Sequence, residues 1–189
     1  MQMNELIKEI IHLTNKTVDE WEVFRKEYKF LCNKEIKQLN FCFLKELTES
    51  LNEYKGRNVL NNNVEKYIFN IKVGSIVECW LLFLHSVYKS DYNIHPVIVK
   101  DKKINIEKLS FNQLCKEREG GLFDKSYTDV EDDQIHKWCN KIRNLRNNVH
   151  FSFKTIDDNL SVKNEIEKLH KFILHMYWRL PSTNEIVSP

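Results

Sequence analysis

The stretch VEKYIFNIKVGSIVECWLLFLHSVY, residues 64–88, decides how this chain folds. Ile68, Phe69, Ile71, Val73, Ile76, Val77, Trp80, Leu81, Leu82, Phe83 and Leu84 place apolar side chains on most faces of a helix with 3.6 residues per turn. Such a helix belongs in the middle of a bundle, with other helices around it. Asn62-Asn-Val-Glu65 reads as its start, where a side-chain oxygen accepts one of the first turn's unpaired N–H groups.

The flanking segments supply the neighbours. Leu6, Ile7, Ile10, Ile11 and Leu13 predict a short helix over residues 3–13. Thr17-Val-Asp-Glu20 reads as a capping box that opens a second helix. That helix runs to about Lys55 and stops before Gly56, a length that allows a break near Asn33 or Asn40. Residues 90–108, with Pro96 and Val97-Ile-Val99, read as a loop. Ser110-Phe-Asn-Gln113 opens a short helix ending near Glu119-Gly-Gly121. Thr128-Asp-Val-Glu131 caps a helix of about residues 129–151 that carries Trp138, Ile142, Leu145 and Val149. A last helix extends from about Asn159 to Arg179, and Pro181 stops it. Trp80, Trp138 and Trp178 are expected in the core. Four Gly and three Pro in 189 residues are too few for the turns of a sheet-rich fold. The expected fold is all-α: a single helical bundle of about five to six helices over residues 1–189, with no repeat or linker.

Composition narrows the function. A formal net charge of +2 argues against a broad basic surface for bulk nucleic-acid binding, yet leaves room for a small pocket that grips one or two phosphates. Cys32, Cys42, Cys79, Cys115 and Cys139 are odd in number and form no Cys-x-x-Cys. They read as reduced thiols of a cytoplasmic protein, without a disulfide framework or structural zinc. The first residues lack the apolar run of a signal peptide. Ile76–Leu84, the most apolar run, is far shorter than a bilayer span and contains Glu78, so no membrane insertion is expected.

Chemistry concentrates in Lys141-Ile-Arg-Asn-Leu-Arg-Asn-Asn-Val-His150. At about 100° per residue, Trp138, Ile142, Leu145 and Val149 fall within an arc of roughly 60°, the core face. Relative to Arg143, His150 lies about 20° behind, Arg146 about 60° behind and Asn147 about 40° ahead. Two guanidiniums, an amide and an imidazole share one face beside the buried stripe. Arginine offers a planar fork of donors that matches phosphate oxygens. Histidine exchanges a proton near neutrality. No carboxylate cluster or metal-ligand spacing lies nearby in sequence, so metal-free chemistry is expected, with no cofactor. RNA carries its own nucleophile: a base that takes the ribose 2′-OH proton, beside an arginine that stabilises the developing charge, yields a 2′,3′-cyclic phosphate.

Arg143-Asn144 through His150 resembles the R-x4-6-H signature of the HEPN superfamily (higher eukaryotes and prokaryotes nucleotide-binding), whose members often carry Asn directly after the Arg. Arg143 precedes His150 by six intervening residues; Arg146 repeats the Arg-Asn pair but leaves only three. The resemblance therefore puts the family's Arg on Arg143 and its His on His150, with Arg146 as the rival. It implies a helical bundle with the motif near the end of a late helix, metal-independent endoribonuclease activity on RNA, and a homodimer in which two motifs form one site. It also implies a place in toxin–antitoxin, abortive-infection or other antiviral defence, with an antitoxin or defence-system partner. Val73-Gly-Ser-Ile-Val-Glu78 resembles an upstream helix of HEPN-like proteins whose acidic residue faces the motif. Supporting roles fall to Asn144, Arg146, Asn147 and Glu78. As the lone charge in Ile76–Leu84, Glu78 needs a partner: either it pairs with Arg143 or it snorkels to the surface. The bland alternatives are a His150 that bonds a backbone group at a helix end, solvated arginines, and a non-catalytic module of the same fold that binds RNA, a nucleotide or a protein. His85, His136, His170 and His175 read as structural, and the acidic run Asp129–Asp133 as a helix N-terminus favoured by the helix dipole.

Overall fold

Helix α4, Asn63–Val87, is the centre of the computed structural model, which describes residues 2–117, 123–124, 130–147 and 160–187. Around it pack α3 (Phe41–Glu49), α7 (Val130–Asn147) and α8 (Val162–Arg179), with the shorter α2 (Lys34–Gln38), α5 (Lys89–Ile94) and α6 (Phe111–Leu114). Helix α1, Met3–Glu27, lies against α8 and α3, and a short α9, Thr183–Val187, follows α8. Three quarters of the described residues are helical, and five helices reach seven residues or more.

Position in the bundle follows from sequence. In α4, Phe69, Val73, Ile76, Val77, Trp80, Leu81 and Leu84 are all fully buried, so neighbours cover it on most sides. Trp21 of α1 and Phe41 of α3 both meet Phe83 edge-on, with ring centroids 5.3 and 5.1 Å apart, the arrangement that ring quadrupoles favour. Read over its whole length, rather than over Ile76–Leu84, α4 is long and apolar enough to cross a membrane by length and composition; 56% of that window is buried inside the protein.

Side chains cap the starts of α2, α3, α4, α6 and α8, where Asn33, Asn40, Asn62, Ser110 and Ser161 each accept a backbone N–H of the first turn. Asn33, Asn40 and Asn62 accept N–H bonds from Ile36, Phe43 and Glu65 at 2.8, 3.0 and 2.9 Å. Ser110 and Gln113 close a capping box. Gly56 takes φ +75°, the left-handed conformation that ends the preceding 3-10 turn Ser50–Tyr54.

Four expectations need correction. Thr17 does not start a helix that runs to Lys55: its Oγ1 donates to the Leu13 carbonyl at 2.8 Å, α1 runs through it unbroken to Glu27, and α2, α3 and the 3-10 turn Ser50–Tyr54 follow as separate elements. Residues 90–108 are not simple loop. They contain α5, the antiparallel pair Ile98–Val99 (β1) and Lys102–Lys103 (β2), and a 3-10 turn Ile106–Lys108. The Tyr92 hydroxyl pins this excursion, donating to the Ile104 carbonyl at 2.6 Å and accepting from the Val97 N–H at 3.3 Å. Helix α6 ends at Leu114, not near Gly120. Trp178 is 75% exposed, because it sits about 200° round α8 from the buried Met176; Trp80 and Trp138 are buried. Thr128 and Asp129, the expected cap of α7, lie outside the described residues.

Candidate active site

Of the expected core stripe of α7, Trp138 and Ile142 are buried and Leu145 half-buried, Val149 lies outside the described residues, and Ile135 and Cys139 join the buried face. Beside that stripe Arg143 and Arg146 are half-buried, and Asn144 and Asn147 are exposed. His150, the expected proton carrier, and Asn148 lie outside the described residues.

Both arginines are held, and both lean on α6. The Arg143 guanidinium donates to Asn112 Oδ1 at 2.5 Å and to Asn144 Oδ1 at 3.0 Å. The Arg146 guanidinium carbon stands 5.6 Å from the centre of the Phe111 ring, within cation–π range. Arg146 also donates to Glu78 Oε2 of α4 at 2.6 Å, with both side chains less than one third exposed. Charge-assisted bonds of this length are roughly twice as strong as neutral ones. Glu78 therefore meets Arg146 and not Arg143. The correction has a helical cause. Gly74 and Glu78, one turn apart, lie on the side of α4 that meets α7, and the partner of Glu78 is set by where the helices cross.

Gly74 is what makes this approach possible. A Cβ there would lie 3.0 Å from Arg146 Cδ, 3.2 Å from Arg146 Cβ and 3.4 Å from Ile142 Cγ2. The lone glycine of α4 thus leaves room for the Arg146 stem to cross α4 and reach Glu78 one turn on. Sequence reasoning missed Gly74, Phe111 and Asn112 as parts of the site. A glycine inside a strong helical run was the available signal, since it costs helix stability and marks a close approach. Nothing in α6 distinguishes Asn112 from a solvated residue without the fold.

Next to Glu78, burial pushes the Cys79 thiol up to about 11; the Glu78 charge adds to that and Arg146 opposes it. Cys79 stays a thiol at neutral pH and is a poor nucleophile. Burial, with the hydrogen bond to Cys115, also holds the Cys139 thiol well above its ordinary value. The cysteines are free.

On the same side of α7 as Arg143, about two turns earlier, His136 is buried. Its Nε2 lies 2.7 Å from the Cys115 carbonyl and 2.8 Å from Asn140 Nδ2, and its Nδ1 lies 3.1 Å from Glu117. His136 thereby ties the end of α6 to α7, and α6 carries Phe111 and Asn112, which touch Arg146 and Arg143. His175 meets Asp132 at 2.6 Å and His170 meets Glu9 at 3.0 Å. Among the described residues no group of three His, Cys, Asp or Glu side chains is placed to hold a metal. The arrangement can present two preoriented guanidiniums, one open to solvent and amides, the other partly neutralised by Glu78, to an anionic oxygen. No protein-family model, curated protein or solved structure matches the chain.

Proposed function

We propose that this protein is a HEPN-type endoribonuclease that cleaves RNA without a metal ion. The reading rests on one observation above others: Arg143 and Arg146 stand on one half-exposed face of α7, each fixed by a partner outside its own turn. Donors fixed before the substrate arrives need no reorganisation when charge develops, which is where electrostatic catalysis gains most. Arg143, with the wider spacing to His150 and its guanidinium bonded to the neutral amides of Asn112 and Asn144, is the phosphate-binding arginine. Arg146, with Glu78 drawing on its charge, shapes the face and supports Arg143. His150 moves the proton of the ribose 2′-OH. Asn144 orients Arg143 through its 3.0 Å bond, and Asn147 lines the same face. The finer fold assignment, HEPN, the homodimer with two motifs at one cleft, the cytoplasmic location, and a role in prokaryotic defence with an antitoxin or similar partner belong to the same proposal.

The test is RNA incubated with EDTA-treated protein. Wild type is expected to cut, and Arg143→Ala and His150→Ala to lose about a hundredfold or more of the rate, the usual scale for a charge-stabilising donor or an acid–base group. Arg146→Ala and Glu78→Gln should lose less, about tenfold, as positioning changes do. Cleavage that persists in both Arg143→Ala and His150→Ala would overturn the assignment.

A second reading is a non-catalytic module that binds RNA, a nucleotide or a protein. The Glu78–Arg146 pair favours it, because a carboxylate spends part of the positive charge that a phosphate would otherwise meet. Under that reading the protein binds RNA with the salt dependence of phosphate contacts, Arg143→Ala weakens binding, and no cleavage accompanies it.

A further inference from the structure

A groove of about 670 Å³ runs between α7 and α8. Glu131, Gln134, Lys137 and Lys141 line its α7 side, Lys168 and Lys171 its α8 side, and the buried Ile135 and Trp138 form its floor. Beneath it lies Glu165, whose side chain is 4% exposed. Glu165 accepts from Trp138 Nε1 at 2.7 Å, Lys141 Nζ at 2.9 Å and Lys168 Nζ at 3.4 Å. One carboxylate thus draws two ammoniums together across the groove and leaves the pair net positive. Lys137 pairs with Asp133 one turn back on an open surface, where such pairs contribute only tenths of a kcal/mol and exchange readily. The methylene stems of the lysines extend the apolar floor upward while their charges stay at the rim.

Which anion fits is decided by shape and direction. The two helices are antiparallel, as Asp132–Arg179 and Lys141–Glu165 at opposite ends of the contact show. A trough between antiparallel helices, apolar below and edged by four lysines against the single carboxylate of Glu131, has the form that receives a third amphipathic helix. Lys137 and Lys141 stand about 120° and 160° round α7 from Arg143. A nucleic-acid strand seated there would lie on the far side of the helix from the two arginines, so the groove is not the substrate channel of that site.

We propose that the α7–α8 groove docks an acidic amphipathic helix of a partner protein, with its apolar stripe over Ile135 and Trp138 and its carboxylates on the four lysines. The proposal does not depend on RNA cleavage.

A fluorescein-labelled peptide of repeated Glu-Leu-Ala-Glu-Leu-Leu-Glu heptads tests it by anisotropy, alongside the same peptide with Lys for Glu. Wild type is expected to bind the acidic peptide and not the basic one. Lys137→Glu/Lys171→Glu, which leaves both Glu165 ion pairs in place and whose folding is checked by thermal melting, should weaken the acidic peptide by about tenfold or more and gain affinity for the basic one. Arg143→Ala should leave peptide binding unchanged. Absence of saturable binding to the acidic peptide, or equal binding by the double variant, overturns the proposal. So does a double variant that loses single-stranded RNA while keeping the peptide, which would assign the groove to nucleic acid.

Discussion

Gly74 and Arg146 make a pair whose consequences separate stability from activity. Replacing Gly74 by Ala brings about 1 kcal/mol of helix propensity. It also pushes a Cβ to 3.0 and 3.2 Å from the Arg146 stem, a clash of similar size. Thermal unfolding of Gly74→Ala is expected to stay within about 1 kcal/mol of wild type while RNA cleavage falls about tenfold, because the guanidinium is displaced from Glu78. Unfolding that drops by several kcal/mol, or full activity, would count against the close-approach role. Asn70, on the same side of α4 one turn before Gly74, is fully buried, and neither side-chain amide atom has a hydrogen-bond partner among the described residues. An unbonded buried amide is costly, so Asn70→Leu should raise the melting temperature, by about 1 kcal/mol of stability, in a denaturation experiment. At this scale the sequence showed which residues share a face of α7, because that follows from 100° per residue. It left the partner of Glu78 open, because periodicity gives the face of a helix and not the height at which another helix crosses it.

At the scale of elements, α7 and α8 are tied at both ends. Arg179 donates to both oxygens of the buried Asp132 at 2.8 Å, and Glu165 holds Trp138 and Lys141. Arg179→Ala removes one of the partners of the buried Asp132 but leaves His175 at 2.6 Å, and is expected to cost about 1 to 2 kcal/mol in urea unfolding, less than a buried carboxylate left unpaired. Glu165 brings a pH dependence. Burial alone would push its carboxyl up, but the Trp138 N–H and the Lys141 and Lys168 charges outweigh it and hold it below the ordinary 4.5. The folded protein therefore binds this proton less readily than the unfolded chain. The stability involved is complete above the ordinary carboxylate range and is lost as pH falls through the lowered value. The melting-temperature gap between wild type and Glu165→Gln should be widest near neutral pH and narrow as pH falls below the ordinary carboxylate range. A gap that does not change over that interval would contradict the role. The helix starts at Asn62 and Ser110 were legible because a cap is decided by residues three apart; Asn33 and Asn40 were legible only as possible breaks in one longer helix. Thr17 offered the same local signal and was overridden by continued packing of Val18, Trp21 and Phe24 into the core. The Tyr92-pinned hairpin was illegible because one hydroxyl, reaching twelve residues along the chain, holds it.

For the molecule as a whole, residues 64–88 foretold a helix enclosed by others, and few glycines and prolines foretold the helical class. Neither could place α6 beneath the two arginines, which depends on how a four-residue helix lodges against α4 and α7. In the proposed enzyme α6 is the bracket that aligns Arg143 and Arg146, and their face is the place where RNA is cut by its own 2′-hydroxyl. The most direct measurement is end-group analysis of one RNA, in EDTA, against the same RNA carrying 2′-O-methyl groups throughout. Attack by the 2′-hydroxyl predicts 2′,3′-cyclic phosphate ends from the RNA and an intact 2′-O-methyl strand. Cleavage of the 2′-O-methyl strand, 3′-hydroxyl ends, or an uncut RNA would contradict it.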